Sequence, residues 1–123
     1  MPNIVLDGNN LTIEQVVQIA REGVRVEIAP SARAEIIRKR DYIEENWLTE
    51  NAPATYGFNT GVGKLKDYKI NQIDNAQFQL NIVLSHCSGL GEPASVEIVR
   101  AMMAVRINAF CVGVSGLDRK SVV

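Results

Sequence analysis

Residues 55–65, Thr-Tyr-Gly-Phe-Asn-Thr-Gly-Val-Gly-Lys-Leu, place one tyrosine among polar side chains and three glycines. A phenol has an ordinary pKa of about 10, so a tyrosine that acts as a base needs surroundings that favour its ionised form. Glycines let a backbone approach a ligand closely and let a loop move as a lid. The stretch by itself predicts an ordered glycine-rich loop, and an isolated Tyr-Gly pair more often marks a packing tyrosine than a catalytic one.

A phosphate cradle is the other site that dense glycines suggest, and the spacing excludes its two common forms. The P-loop has four residues between its first glycine and Gly-Lys, followed by Ser or Thr. Here five residues separate Gly57 from Gly63, and Leu65 follows the lysine. The dinucleotide pattern fails because Lys66 stands at its third glycine position. A nucleotide site is therefore not expected.

His86, the single histidine, stands next to Cys87, and the second cysteine is Cys111. The two cysteines have neither C-x-x-C nor zinc-ligand spacing, so no metal site is predicted and both thiols are expected to be reduced and buried. The alternative is a catalytic thiol that uses His86 as its base. Neighbouring residues on a helix point about 100° apart, which weakens that alternative.

Composition limits the class of protein. Hydrophobic residues make up 46% and charged residues 22%, which is typical of a folded domain. The 13 basic and 14 acidic residues nearly cancel, which argues against nucleic acid as a partner. Residues 1–8 contain neither a basic leader nor an apolar stretch long enough for a signal peptide or membrane span. A cytoplasmic location is expected.

The first half of the chain predicts two helices separated by a short strand. Thr12 and Gln15 fit a capping box, so a helix begins there and should end near Gly23. Residues 24–28 alternate apolar and charged side chains, as a strand does. Pro30 suits the first turn of a second helix. The apolar stripe of that helix consists of Ala32, Ile36, Ile43 and Trp47.

The second half predicts a long glycine-rich loop and two more helices. Pro53 breaks the second helix, and the loop extends to Gly63. A third helix follows and ends at the glycines of residues 88–91. Pro93 should begin a fourth helix that reaches about Val112. The apolar stripe of the third helix consists of Ile73, Ala76, Leu80, Val83 and Cys87.

The fourth helix is apolar on nearly every side, so it must be covered on all sides, which three short partners hardly achieve. More protein is therefore needed. The sequence predicts a mainly α fold in which residues 1–123 form a single incomplete domain without an internal boundary.

Two stretches resemble those of the aromatic amino-acid ammonia-lyases, the family of histidine, phenylalanine and tyrosine lyases. Residues 56–63 resemble its Tyr-Gly-x-Asn/Thr-Thr-Gly-x-Gly signature, and residues 79–93 resemble its Leu-Ser-His-Ala-Ala-Gly-x-Gly-Glu-Pro stretch. The resemblance runs from about Leu6 to Leu117. One departure is that Phe58 and Val62 stand as if exchanged between the two family positions, which conserves volume if their side chains pack together.

The resemblance implies the N-terminal helical part of the ammonia-lyase fold, with a short strand or hairpin near the start. It also implies elimination of ammonia from L-histidine to give trans-urocanate. Tyr56 would be the base, and His86 would line the pocket for the substrate ring. Asn59, Thr60 and Gly63 would contact the substrate or hold the shape of the loop. The alternatives are a tyrosine or phenylalanine ammonia-lyase or aminomutase fragment, or a non-catalytic assembly module.

The family's electrophile is a methylidene-imidazolone that forms from an internal Ala-Ser-Gly, and this chain contains no Ala-Ser-Gly. Its nearest string, residues 114–116, is Val-Ser-Gly and aligns with a family segment upstream of the cofactor. The family's substrate-carboxylate arginine also lies beyond Val123. The resemblance thus implies that the chain alone is inactive, and that it works in histidine metabolism with the remaining lyase polypeptide in a homotetramer.

Overall fold

A computed structural model of the protein describes residues 3–117, apart from the side chain of Gln72. The described chain forms two compact units. One contains the residues up to Arg40 together with those from Glu92 onward, and the other contains Asp41–Gly91. The absence of a leader was predicted partly from Met1 and Pro2, which lie outside the described residues. No helix in the described part is long and apolar enough to cross a membrane.

The first unit begins with a β-α-β arrangement. Strand β1 (Ile4–Leu6) pairs in parallel with β2 (Val26–Ile28), with Ile4 opposite Val26. Between them lie α1 (Ile13–Val17) and a π-helical turn (Gln18–Glu22). The short strand expected near the start is confirmed. The pairing is parallel and not that of a hairpin, because a helix separates the two strands.

The predicted ends of the first helix are confirmed. Thr12 accepts a hydrogen bond from the backbone N–H of Gln15, and the Gln15 side chain accepts one from the Thr12 N–H, which is the expected capping box. Gly23 ends the helical segment with a left-handed φ of 70°. Its N–H bonds to the Gln18 carbonyl five residues earlier, which widens the last turn into a π-helix that the sequence pattern did not predict.

Helix α2 (Pro30–Asn46) starts at the predicted proline, and three residues of its predicted stripe are buried, while Trp47 is half-buried. Helix α4 (Val96–Phe110) begins three residues later than predicted from Pro93. Ser95 is the reason, because its hydroxyl accepts a hydrogen bond from the Ile98 N–H and thereby caps the helix. The core of the first unit consists of Ile4, Leu6, Ile19, Ala29, Ala32, Ala104 and Cys111.

Asp7 organises the turn after β1. Its carboxylate accepts hydrogen bonds from the backbone N–H groups of Asn9 and Asn10, which lower its pKa from 3.8 to about 2. Since the folded pKa is the lower one, this stabilisation is present above about pH 4 and is lost as the pH falls toward 2. We expect the stability difference between wild type and Asp7→Asn to shrink over that range, as measured by urea unfolding at pH 6 and pH 2.5.

The comparison with the variant is needed because Arg38 and then Lys39 likewise lower the pKa of Glu35 to about 2, so that Glu35 titrates in the same range. A difference between the two proteins that stays constant from pH 6 to pH 2.5 would show that the Asp7 carboxylate does not stabilise the fold.

The second unit contains the end of α2, a loop, two 3₁₀ turns (Gly63–Leu65 and Gln72–Asp74) and α3 (Asn75–His86). The long loop after α2 is confirmed, because no helix or strand occupies residues 51–62. The third helix ends before residues 88–91, as predicted. The five residues of its predicted apolar stripe are all exposed, whereas Phe78 and Ile82 are half-buried.

The two cysteines are free, and only one of them is buried as predicted. Cys111 is 2% exposed, and burial, followed by the nearby Asp7 charge, raises the pKa of its thiol. The prediction of a buried Cys87 is wrong. This residue follows α3 on the exposed stripe, where no other part of its unit covers it among the described residues.

Candidate active site

Tyr56 lies in a tight turn between α2 and the first 3₁₀ turn. The N–H groups of Phe58 and Asn59 both donate to the carbonyl oxygen of Thr55, at 3.1 and 3.2 Å, and Gly57 has a φ of 82°. The Tyr56 side chain is 62% exposed, and its hydroxyl makes no hydrogen bond to any residue of the described range 3–117. The turn is therefore fixed by its backbone, while the phenol is exposed.

The side chain of Asn59 closes this turn from inside. It is 6% exposed, and its Oδ1 accepts a hydrogen bond from the Thr55 N–H at 2.7 Å. Its Nδ2 donates to the carbonyl oxygens of Trp47 and Pro53, both at 2.9 Å. Both N–H donors of the amide are thus used within the protein. Asn59 fits the role of holding the loop's shape better than that of contacting a substrate.

Thr60 and Gly63 follow on the same loop. The Thr60 side chain is 2% exposed, and its hydroxyl donates to the Gly61 carbonyl at 3.0 Å, so it faces the interior of its unit. Gly63 has a φ of 59° and begins the first 3₁₀ turn. A Cβ built on Gly63 would meet no atom within 4 Å. Gly63 is thus the more accessible of these two predicted contact residues.

An antiparallel contact closes the far side of the loop. Thr60 forms an isolated bridge with Lys69. The Gly61 N–H donates to the Tyr68 carbonyl at 2.9 Å, and the Ile70 N–H donates to the Asn59 carbonyl at 2.8 Å. The Lys69 Nζ donates to the carbonyl oxygens of Glu50 and Ala52, at 2.8 and 2.9 Å. Sequence reasoning missed Lys69, because a lysine in a polar segment carries no signal of its partners.

Aromatic packing supports the turn from one side. The Phe58 ring lies edge-on to the Trp47 ring, with 4.9 Å between the ring centroids. Trp47 is also edge-on to Tyr42 at 5.9 Å. Phe58, one of the two residues that depart from the family pattern, is therefore a packing residue that holds the turn against the end of α2.

Gly61 has no space for a side chain because its backbone lies close to Leu65, and this gives a testable prediction. A Cβ at this position would lie 2.5 Å from the Leu65 carbonyl oxygen and 2.7 Å from the Leu65 Cβ. Because backbone must move to relieve this overlap, we expect Gly61→Ala to destabilise the second unit by about 1–3 kcal/mol, as overpacking does. Urea unfolding monitored by Trp47 fluorescence would measure the loss.

Gly89→Ala is the matched control for Gly61→Ala. A Cβ at Gly89 would meet no atom within 4 Å, and its φ is not positive, so the methyl group enters open space. We expect the control to change the free energy of unfolding by less than about 0.5 kcal/mol. Equal effects from both substitutions would contradict the close approach at Gly61.

His86 is exposed at the C-terminal end of α3. Its Nδ1 lies 2.8 Å from the Ile82 carbonyl oxygen and 3.0 Å from the Ser85 Oγ. A carbonyl oxygen only accepts hydrogen bonds, so the contact with Ile82 assigns the proton of the neutral ring to Nδ1. The Nε2 atom is then an acceptor without a hydrogen bond inside the described residues. The ring therefore offers a single outward acceptor.

The second unit contains every predicted site residue. Four of them share one loop, and His86 lies on the helix that follows. No hydrogen bond joins Tyr56 to His86 within residues 3–117. No group of three His, Cys, Asp or Glu side chains is placed to hold a metal ion in that range. The unit thus offers a phenol on a fixed loop and an imidazole on a helix end.

Known proteins resemble this chain over nearly its whole length. The family model described as aromatic amino acid lyase matches residues 11–123. A curated histidine ammonia-lyase of Caldanaerobacter subterraneus subsp. tengcongensis is 37% identical over 122 residues, which are 99% of this chain and 24% of that protein. The chain therefore spans about a quarter of the length of this relative.

Solved structures give a similar result. The tyrosine aminomutase of Streptomyces globisporus matches with a TM-score of 0.90 at 26% identity, over 98% of this chain and 23% of that one. The ergothioneine-degrading ergothionase of Treponema denticola matches with a TM-score of 0.91 at 26% identity, over 98% and 24% of the two chains. The predicted helical N-terminal part of such a fold is thus confirmed.

Proposed function

The chain belongs to the aromatic amino acid lyase family, and on that premise we propose that it is the N-terminal part of an enzyme that eliminates ammonia from L-histidine to give trans-urocanate. The observation that carries the proposal is the placement of Tyr56, whose phenol is exposed while the turn beneath it is held by the buried Asn59 side chain. A histidine ammonia-lyase of C. subterraneus is 37% identical to the chain, which favours histidine as substrate.

The reaction needs a base. Elimination removes a weakly acidic proton from Cβ of histidine, and the electron pair of that C–H bond forms the double bond between Cα and Cβ. The bond between Cα and nitrogen breaks, and its electron pair leaves on the nitrogen of the protonated amine, which departs as ammonia. Tyr56, as its phenolate, accepts the Cβ proton. The fixed turn limits how far the oxygen can move away from that proton, which lowers the entropic part of the barrier.

His86 determines which ring the site accepts. With Nδ1 donating to the Ile82 carbonyl, Nε2 is available as an acceptor for an N–H of the substrate imidazole. A phenyl ring has no N–H to donate and would leave that acceptor unpaired, which disfavours phenylalanine. Gly63 is a backbone contact in this proposal, whereas Asn59 and Thr60 hold the loop through the hydrogen bonds that their side chains make within the protein.

The 123 residues of this chain do not contain the precursor of the methylidene-imidazolone that the resemblance implies. The chain has no Ala-Ser-Gly, and its Val114-Ser115-Gly116 lies against α2, where Arg40 donates to the Gly116 carbonyl at 3.1 Å. The electrophile must therefore come from other lyase polypeptide, consistent with relatives about four times as long.

Apolar surfaces support association with that polypeptide and with further subunits. Large side chains on α4 are exposed, among them Val96 at 73% and Met102 at 64%, although the helix was expected to be covered on all sides. On α3, Leu80, Val83 and Leu84 are more than half exposed. Exposed apolar faces of this extent mark interaction surfaces. A homo-oligomer, with a tetramer expected, would cover them.

Tyrosine is the second candidate substrate, because the tyrosine aminomutase of S. globisporus is among the structural matches. The ergothionase match shows that another substrate class occurs on the same fold. A tyrosine hydroxyl can donate to the His86 Nε2 in place of an imidazole N–H. Phenylalanine lacks such a donor and ranks third.

The test uses the complete enzyme, in which this segment is joined by its remaining lyase polypeptide, and the 123-residue chain by itself. Each is incubated with L-histidine, L-tyrosine and L-phenylalanine, and the unsaturated product and ammonia are quantified. We expect urocanate from histidine with the complete enzyme and no product with the chain alone. Failure of the complete enzyme to form urocanate would refute the proposal, and preference for tyrosine would replace it with the second candidate.

A further inference from the structure

We propose that Lys69 is a positioning residue for Tyr56, which it keeps in place by tying together the two flanks of the loop that carries the phenol. This inference rests on the proposed role of Tyr56 as the base. Within residues 3–117 the Lys69 side chain makes its hydrogen bonds to backbone carbonyls and none to the phenol, so its effect is exerted through backbone on either side of the turn.

The side chain of Lys69 holds the flank that precedes the turn. Its Nζ donates to the carbonyl oxygens of Glu50 and Ala52, which lie four and six residues after the last residue of α2. An ammonium has three donors and forms charge-assisted hydrogen bonds, which are stronger than those between neutral groups. Ala52 is 5% exposed, so loss of the ammonium would leave a carbonyl of a buried residue without this donor.

The backbone around Lys69 holds the flank that follows the turn. Lys69 is bridged to Thr60, and the adjacent residues Tyr68 and Ile70 make the hydrogen bonds to Gly61 and Asn59 described above. Asn59 lies next to this bridge on the second flank, and its side-chain Oδ1 also accepts a hydrogen bond from the Thr55 N–H. Lys69 therefore joins the two flanks of the loop, residues 50–52 through its side chain and residues 59–61 through the backbone around it. We call these two flanks the first and the second anchor.

Tyr56 lies midway between these anchors. With both anchors in place, the six residues 53–58 have little freedom to move the phenol. The Asn59 side chain also holds Thr55, the residue immediately before Tyr56, by a hydrogen bond. Without the ammonium, the first anchor can shift relative to the second. A displacement of about 1 Å at a reacting group costs up to about 100-fold in rate. The expected consequence is a slower chemical step with little change in substrate affinity.

The experiment compares Lys69→Met, Lys69→Arg and Lys66→Met. Methionine keeps an unbranched apolar side chain but lacks the ammonium, whereas arginine keeps cationic donors that can reach carbonyl oxygens. Lys66→Met is the matched control, because it removes the same charge from the same segment and Lys66 makes no side-chain hydrogen bond or ion pair within residues 3–117. Thermal unfolding of each variant gives the folded fraction, to which rates are normalised.

The first measurement is hydrogen exchange of the backbone amides of Thr55, Phe58 and Asn59 in the chain. We expect exchange at least about tenfold faster in Lys69→Met than in wild type or Lys66→Met, because opening of the turn becomes easier. This measurement does not depend on catalysis. It therefore tests whether Lys69 holds the two flanks of the loop together, even if the complete enzyme proves not to be an ammonia-lyase.

The second measurement is kinetics of the complete enzyme on histidine. We expect kcat of Lys69→Met to fall about 10–100-fold with KM within about threefold, and Lys69→Arg to recover to within about tenfold of wild type. Exchange and kcat that match those of Lys66→Met would overturn the proposal. It would also be overturned by a kcat of Lys69→Arg as low as that of Lys69→Met, or by a loss that disappears after normalisation to folded protein.

Discussion

Tyr56→Phe in the complete enzyme is expected to lower kcat on histidine by about 10²–10⁴-fold, or roughly 3–5 kcal/mol of barrier. The substitution removes the phenolic oxygen, which in this proposal accepts the Cβ proton, and keeps the ring. Because that hydroxyl makes no hydrogen bond to the described residues, and the turn is held by Thr55 and Asn59, the fold should be unaffected. Steady-state urocanate formation and thermal unfolding measure the two effects separately.

Tyr68→Phe provides the control for this substitution. Tyr68 is 68% exposed, lies in the same unit and makes its contact with the loop through its backbone carbonyl. Removal of its hydroxyl should leave kcat within about threefold of wild type. Comparable losses in both variants would mean that any tyrosine of this segment supports the enzyme, and the assignment of the base to Tyr56 would be withdrawn.

His86→Leu is expected to shift the preference for histidine over phenylalanine by about 10–100-fold in the ratio of kcat/KM values, which corresponds to roughly 1.4–2.7 kcal/mol. The leucine removes the Nε2 acceptor, so the substrate imidazole N–H loses its partner, while a phenyl ring gains an apolar neighbour. The measurement is kcat/KM for both amino acids with wild type and variant.

Cys87→Ala is the control for His86→Leu, since Cys87 adjoins His86 and is exposed. Among the described residues its thiol donates to the Leu84 carbonyl alone, at 3.5 Å, and the substitution should leave the specificity ratio unchanged. A His86→Leu enzyme with an unaltered ratio would place the ring of the substrate elsewhere and reopen tyrosine as the preferred substrate.

Local interactions explain what could be predicted from the sequence. The capping box of Thr12, the left-handed Gly23 and the first-turn Pro30 depend on residues a few positions apart, and all three lie where they were expected. The loop after α2 was predicted from its glycines and Pro53. Tyr56 was singled out because phenol chemistry and a family signature coincide on one residue.

Contacts between distant segments explain what could not be predicted. Lys69 donates to carbonyl oxygens 17 and 19 residues earlier, and nothing in its local sequence indicates these partners. The buried amide of Asn59 was expected to contact substrate or hold the loop, and only its partners in the fold favour the second role. Cys87 was predicted as buried from helical periodicity, which identifies an apolar stripe but not whether another element covers it.

The role of Tyr56 as the base is tested most directly by the isotope effect on elimination from β-deuterated histidine. In the Tyr56→Phe enzyme, removal of the Cβ hydrogen should be the slowest step, so the effect on kcat should exceed that of wild type, because the base that speeds this step is gone. A Tyr56→Phe enzyme that turns over at near the wild-type rate, with an unchanged isotope effect, would show that another group accepts the proton.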